Sequence, residues 1–374
     1  MNLHIYPSYI VHESRIEKIA RTLINEKTFN SIIILGIWKK GLKRSQKLHS
    51  GIKIIRVKNY FSFLPYFLRK FFDLVGLMFF CLFRFTKVDV VNCHSLNCLF
   101  IGVILKIIKG VKLIYDTHEL ETERNGLTGI RKVFSKKIEK YCIGYCDHIF
   151  VVGDKINRWY KHHYKLKNNV ITTIFNFPNL VNKSKTQSID IRVQNKIPYN
   201  RLIFVYVGLM IKGRGLEELI TAFNQSFHHL VLIGYGPRWT KLEKKTRKIN
   251  NIHVNEPLDQ KHLLMFIKSA DVGIFSPFNI RSLSYKYCMP NKIFEYMHAQ
   301  LPIIVSSLDE VVTHINKNKI GWVVNSEEEL KKLIINIKPS HIINKKKNIL
   351  KVQKKYTWES QKDKLISPYL RNYD

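Results

Sequence analysis

The chain has 374 residues, with 62 Lys and Arg against 28 Asp and Glu, and so a formal charge of +34. Its 45% hydrophobic and 12% aromatic content supplies enough apolar side chains for real cores, which excludes a disordered polyelectrolyte. Seventeen glycines and 11 prolines exclude a fibrous or low-complexity chain, and at roughly 100–200 residues per domain the length predicts two domains, or three.

In chain order, residues 3–6 form a short predicted strand and 15–25 a helix with Ile16, Ile19, Ala20 and Leu23 on one side. Residues 31–36 and 52–57 are β-branched runs. Residues 60–85 carry nine phenylalanines, interrupted by Arg69, Lys70 and Asp73, and the longest uncharged run there is 10 residues (74–83). A membrane-spanning helix needs about 20. Phe67, Phe71, Leu74 and Met78 recur at helical spacing, which fits a core-packed helix or one partly inserted at a membrane interface. DVVNCHS (89–95) is a strand ending in polar residues, 96–108 a helix, and VKLIYDTHEL (111–120) a strand running into a charged loop. Further strands are predicted at 148–153 and 168–176.

Residues 177–200 are polar and lose the apolar period, which marks a domain boundary. The pattern restarts with strands at 201–208, 229–236, 251–254, 271–277 and 302–306, and with helices at 215–223, 258–270 and from Pro290. The tail from about 326 is helical and Lys-rich. Continuous apolar strands alternating with helices predict parallel sheets covered on both faces. The expected architecture is two tandem Rossmann-like α/β domains, 1–180 and 201–356, with a linker at 181–200. A C-terminal helix at about 357–374 is expected to pack back on the first domain. Ligands in such sheets sit at the carboxyl ends of strands, so the cleft between the domains is the expected site.

The six cysteines, at 81, 93, 98, 142, 146 and 288, contain no Cys-x-x-Cys pair, and Cys142 and Cys146 lack a second pair to complete a zinc site. Free thiols predict a reducing compartment, and the opening residues lack the apolar core of a signal peptide, so a cytoplasmic protein is expected. Asp-x-Asp, His-Glu-x-x-His, a phosphate loop and a Gly-x-Ser-x-Gly elbow are all absent from the sequence, and no metal is expected. The charge is accompanied by no nucleic-acid-binding motif.

Positive signals cluster in the second half. Gly208 ends a strand, and Gly213, Arg214 and Gly215 precede a helix, where backbone N–H groups and a guanidinium suit an anion. Gly234 opens a second tight turn after the next strand. Either turn alone is also an ordinary helix entry. Pro290 suits a first helical turn, and Lys292 and Glu295, three apart, share a face of that helix.

GRGLEELITAF (213–223), LVLIGYGP (230–237), SADVGIFSP (269–277) and PNKIFEYMHAQLPIIVS (290–306) resemble, in order, the C-terminal domain of the retaining glycosyltransferases of the GT-B class called family 4. HESRIEKIARTL (12–23) is similar to that family's first helix, and YDTHELETERNG (115–126) to its loop with a histidine at the cleft. The resemblance implies a GT-B fold and a nucleoside diphosphate sugar as donor substrate, with neither metal nor other cofactor. It implies that Glu295 holds the ribose hydroxyls, that Arg214 contacts the diphosphate, and that His118 lies at the reacting centre. Gly208, Gly213, Gly215, Gly234, Asn291 and Lys292 complete the implied donor site. The family pairs two acids eight residues apart, and the first position here is Tyr287, with Asn291 or Lys292 to substitute. A second basic residue expected just after Gly208 is Leu209 here, leaving Lys212 or Lys292 to supply the charge.

Acceptors in this family are often lipid-linked glycans at the inner membrane face, as in bacterial surface polysaccharide and lipopolysaccharide synthesis. The resemblance thus implies a hexosyl- or N-acetylhexosaminyltransferase held peripherally on an anionic membrane surface. Arg69, Lys70, Arg131, Lys132 and Lys136 are the candidate acceptor and membrane contacts, each basic residue near anionic lipid contributing about 1 kcal/mol. Two alternatives remain: a nucleotide-sugar 2-epimerase of the same fold, with Asp116, Glu119 and Glu121 as acid/base groups, or a non-catalytic polyanion- or membrane-binding protein with a degenerate transferase fold.

Overall fold

Strand segments that are buried at every position must be covered on both faces, and β1 (Asn2–Ile5), β5 (Val90–Cys93), β7 (His148–Val151), β9 (Ile203–Val207) and β12 (Val272–Phe275) all show that pattern. The computed structural model describes residues 1–11, 13–58, 63, 65–179 and 190–370, and places these strands in two compact units, Met1–Asn176 with Gln361–Asp374 and Phe177–Ser360. Among the described residues no helix is long and apolar enough to cross a membrane.

The first unit runs β1, α1 (Ser14–Asn25), β2 (Ile32–Ile37), β3 (Ser45–His49), β4 (Ile52–Val57), α2 (Tyr66–Arg84), β5, α3 (Leu96–Lys109), β6 (Lys112–Asp116), α4 (Gly129–Ile143), β7, α5 (Asp154–Tyr164) and β8 (Ile171–Thr173). Its eight strands lie in the order β3-β4-β2-β1-β5-β6-β7-β8, parallel except for β3. Strand β3 is absent from the sequence reading because SQKLH has no apolar run. It pairs antiparallel with β4 at the sheet edge, where charged residues suit an unpaired rim.

The second unit contains α6 (Ile191–Gln194), β9, α7 (Leu216–Asn224), β10 (His229–Ile233), α8 (Trp239–Thr246), β11 (Ile252–Asn255), α9 (Gln260–Ile267), β12, α10 (Leu283–Lys286), α11 (Asn291–His298), β13 (Ile303–Val305), α12 (Asp309–Asn318), β14 (Gly321–Val323), α13 (Glu327–Asn336) and α14 (Pro339–Val352). Its sheet, β11-β10-β9-β12-β13-β14, is wholly parallel. The strand order reverses at β9, so the carboxyl ends of β9 and β12 form the point where a doubly wound sheet takes its ligand.

Several segments differ from the sequence reading. Of the expected linker, 181–189 lies outside the described residues, whereas 190–200 is folded onto the second unit. Ile191 and Ile197 are buried there, Ile191 N donates to Ser269 Oγ, and Asp190 caps α6. The final helix, α15 (Lys362–Leu370), starts later than expected and lies in the first unit, where Asn92 Nδ2 donates to Tyr369 Oη at 2.6 Å. Residues 371–374 lie outside the description. On α2 the buried positions are Leu77 and Cys81, while Phe71, Phe72, Phe79 and Phe83 are exposed. The face through Phe71 is therefore not the core face; the side chains of Phe67 and Lys70 lie outside the described residues. All six cysteines are free thiols.

Candidate functional site

On the second unit, two glycines bring the ends of β9 and β10 together: a Cβ on Gly234 would lie 2.0 Å from the Gly208 carbonyl oxygen. Gly215, with φ +76°, heads α7, and a Cβ there would lie 2.4 Å from Ser276 O. The N-terminus of α7 is thereby drawn against the end of β12, with its unpaired N–H groups and positive dipole end at the strand termini.

Lys292, in the first turn of α11, reaches back to the same place. Its Nζ lies 3.9 Å from the Tyr206 ring centroid and 4.0 Å from that of Phe275, and a Cβ on Gly208 would lie 3.0 Å from it. Burial and the charge of Arg214 hold its pKa well below the ordinary lysine value, against the pull of Glu295 and Cys288. No hydrogen-bond acceptor for this ammonium is found among the described residues. Lys212, the other candidate for the missing charge, is exposed. Of the two candidates, Lys292 is the one the structure brings beside Gly208.

Arg214 Nη1 donates to Tyr285 Oη at 3.0 Å, with its guanidinium 5.0 Å from the ring centroid, and Tyr285 Oη lies 3.4 Å from Gly213 O. Burial pushes the Tyr285 phenol up to about 12, so it stays protonated at neutral pH. Glu295 lies one turn beyond Lys292 on α11, partly exposed and close enough to act on its charge. The structure thus gathers Gly208, Gly213, Arg214, Gly215, Gly234, Lys292 and Glu295 at one set of strand ends. Asn291 is exposed at the start of α11, and Tyr287 follows α10 with no carboxylate to offer. Tyr285, which steadies Arg214, was missed in the sequence because no spacing rule connects α10 to the turn before α7.

On the first unit, β1, β5 and β6 are neighbours, so their carboxyl ends bring Tyr6, His94 and Asp116 together with His118. Arg15 of α1 grips Asp116, with Nη2 2.6 Å from Oδ1 and Nε 3.1 Å from both oxygens, and Nη1 donates to Ile174 O. His94 Nδ1 lies 2.9 Å and His118 Nε2 3.3 Å from Asp116 Oδ2. His4 Nδ1 meets His94 Nε2 at 2.8 Å, and the Tyr6 ring stands 5.4 Å from that of His118. Burial alone would raise Asp116, but Arg15 and the two imidazoles hold it well below the usual carboxylate range. Burial lowers His94 to about 4 despite Asp116, so it is neutral at pH 7.

The facing atoms of His94, Asp116 and His118 are close enough to hold an ion. Arg15 already pairs with the carboxylate, however, and His94 Nδ1 and His118 Nε2 face the same oxygen, so the cluster is a hydrogen-bonded network around Asp116. Asp116 is enclosed within it rather than free to act as the base an epimerase needs. Glu121 is buried beside Arg124 at 2.7 Å and pushed up to about 8 by burial, while Glu119 is exposed at 3.0 Å from the same guanidinium. The polar residues ending the strand at 89–95 were the sequence signal for His94; Arg15 and Tyr6 gave none.

Of the basic residues proposed for a membrane surface, Arg131 is exposed and Arg69 partly so. Lys132 and Lys136 both pair with Glu123 at 2.5 and 2.6 Å, and that single carboxylate offsets one of their two charges. The neighbouring helices α2, α3 and α4 expose large apolar side chains, among them Phe83 (79%), Ile108 (62%), Ile130 (88%) and Phe134 (64%).

Residues 17–180 match the protein family described as Glycosyltransferase Family 4, and residues 201–338 the one described as Glycosyl transferases group 1. No curated protein sequence matches the chain. Among solved structures, a sucrose-phosphate synthase from Thermosynechococcus elongatus is similar with TM-score 0.76 and 14% identity over 98% of each chain. HepE of Anabaena, in complex with UDP, has TM-score 0.70 and 11% identity over 98% of each chain. WaaG, a glycosyltransferase involved in lipopolysaccharide biosynthesis, has TM-score 0.66 and 14% identity over 98% of this chain and 99% of its own. The architecture is the GT-B fold. With both units matching glycosyltransferase families, the chain is a glycosyltransferase of that fold.

Proposed function

We propose that the protein transfers a hexosyl or N-acetylhexosaminyl group from a nucleoside diphosphate sugar to a lipid-linked glycan at the cytoplasmic face of a membrane, with retention of anomeric configuration and without a metal. The observation that carries this reading is the convergence of Arg214, Lys292 and the N-terminus of α7 beside Glu295 at the ends of β9 and β12. Breaking a sugar–diphosphate bond builds negative charge on the leaving group. The Arg214 guanidinium, a helix N-terminus and Lys292, protonated against the bound diphosphate, meet that charge. In this reading Glu295 accepts from the ribose hydroxyls, and His118 serves the sugar. UDP and UDP-glucose complexes of HepE support the donor class.

Calorimetric titration with a panel of nucleoside diphosphates tests this. One diphosphate should bind selectively, Arg214→Ala should abolish the binding, and Glu295→Ala should weaken it by about 1.5–3 kcal/mol, the range for hydrogen bonds to charged groups. No binding of any diphosphate to the wild type would overturn the reading.

The aromatic and basic exposure of α2, α3 and α4 supports the membrane surface. Phe83→Asp combined with Phe134→Asp should reduce co-sedimentation with anionic vesicles at least tenfold, since a buried Phe is worth about 1.5–3 kcal/mol. Vesicle binding equal to the wild type would place any membrane contact elsewhere.

A further inference from the structure

We propose that Asp116 is a positioning residue that fixes the tautomer of His118, holding its proton on Nε2 and leaving Nδ1 bare as the hydrogen-bond acceptor this unit offers to a substrate hydroxyl. The argument is a count of protons. Asp116 is ionised against Arg15 and can only accept. Two imidazole nitrogens face the same oxygen, His94 Nδ1 at 2.9 Å and His118 Nε2 at 3.3 Å, so both carry protons. The 3.4 Å approach of these two nitrogens is then a pair of N–H groups converging on one carboxylate oxygen, not a bond between them.

The rest of the chain follows. Neutral His94, protonated at Nδ1, has a lone pair at Nε2 and accepts from His4 Nδ1–H at 2.8 Å. In the neutral form of His118 a proton on Nε2 leaves the lone pair on Nδ1. That atom has no hydrogen-bond partner among the described residues and is not among their enclosed unpaired polar atoms, and the side chain is 22% exposed. A buried carboxylate behind an imidazole selects one tautomer and directs the other nitrogen outward, as in hydrolytic triads. Tyr6 packs on the ring, and Arg15 holds the carboxylate against rotation. The tautomer stands on this geometry alone; its use toward a substrate hydroxyl rests on the proposed transferase reading.

Ring-nitrogen NMR of the full chain, labelled with 15N-histidine and with His118 assigned from its loss in His118→Gln, reads the tautomer directly. At about pH 8.5, where a free imidazole is neutral, the expected pattern is Nε2–H with a bare Nδ1. The Nδ1–H form, or a mixture, would overturn the proposal. Asp116→Asn should shift His118 towards Nδ1–H. It should lower kcat about 10²- to 10⁴-fold, with nucleoside diphosphate affinity unchanged, because the proposed anion-binding residues lie in the other unit. A purely structural role would move affinity and fold together and leave the tautomer alone. If Asp116→Asn fails to fold, the wild-type spectrum still decides the matter. A wild type with the expected tautomer that binds no nucleoside diphosphate would sink the transferase reading and leave the tautomer assignment standing.

Discussion

Lys292→Met is expected to weaken nucleoside diphosphate binding by about 1.5–3 kcal/mol, roughly a factor of 10–150, while making the unliganded protein more stable. The ammonium sits between the Tyr206 and Phe275 rings and beside Gly208, with Arg214 adding like charge. Its folded pKa lies below the unfolded value, so the unfolded chain binds more protons between the two and stability rises with pH through that alkaline window. Methionine keeps the packing against the rings and removes that slope. A bound diphosphate supplies the missing counter-charge and draws a proton onto Lys292. The binding enthalpy of the wild type at about pH 9 should therefore vary with the buffer's heat of ionisation, and that of Lys292→Met should not. Equal affinities in the two proteins would take Lys292 out of the anion site.

Arg15→Ala is expected to destabilise the protein by about 3–5 kcal/mol, the range for removing one partner of a buried ion pair. Asp116 is fully buried, and without Arg15 its carboxylate keeps only hydrogen bonds from imidazoles. Asp116 has a depressed folded pKa, so its contribution is complete above the unfolded value of about 3.9 and is lost as pH falls through the lower folded value. The difference between wild type and variant in urea unfolding should therefore be full at pH 7 and shrink below about pH 4. Arg15→Lys should recover only part of it, since one ammonium cannot span both carboxylate oxygens and Ile174 O. An alanine variant as stable as the wild type would show that the pair does not hold the first unit together.

The donor side was the more legible of the two candidate sites. Gly208, Arg214, Gly215, Lys292 and Glu295 lie in short motifs at strand ends and helix starts, and it is the ordered resemblance of those motifs to a family, more than any one turn, that implies a donor site. The choice between Lys212 and Lys292 was open in the sequence, because both are lysines near a glycine turn. The structure puts the Lys292 ammonium beside Gly208 and desolvates it there, which favours Lys292 in the proposed reading. On the first unit His118 was visible at the cleft loop, and Asp116 only as an acid/base group of the epimerase alternative. The partners of His118 come from β1, β5, β6 and α1, and Arg15 lies 101 residues from Asp116. On α2 the helical spacing left a core-packed and an interfacial reading open, because several faces of so aromatic a helix satisfy the same period; packing buries Leu77 and Cys81 and leaves Phe71 exposed.

Periodicity, punctuation and charge are properties of neighbours in the chain, and from them the sequence by itself determined the alternation of strands and helices, the two α/β units and the glycine turns that end their strands. Strand order, ion pairing and desolvation depend on groups far apart in the chain, so the tertiary structure alone decided the rest. It placed 190–200 in the second unit and 361 onward in the first. It tied Lys132 and Lys136 to Glu123. By setting β1, β5 and β6 side by side, it turned three separate strand ends into one buried network around His118.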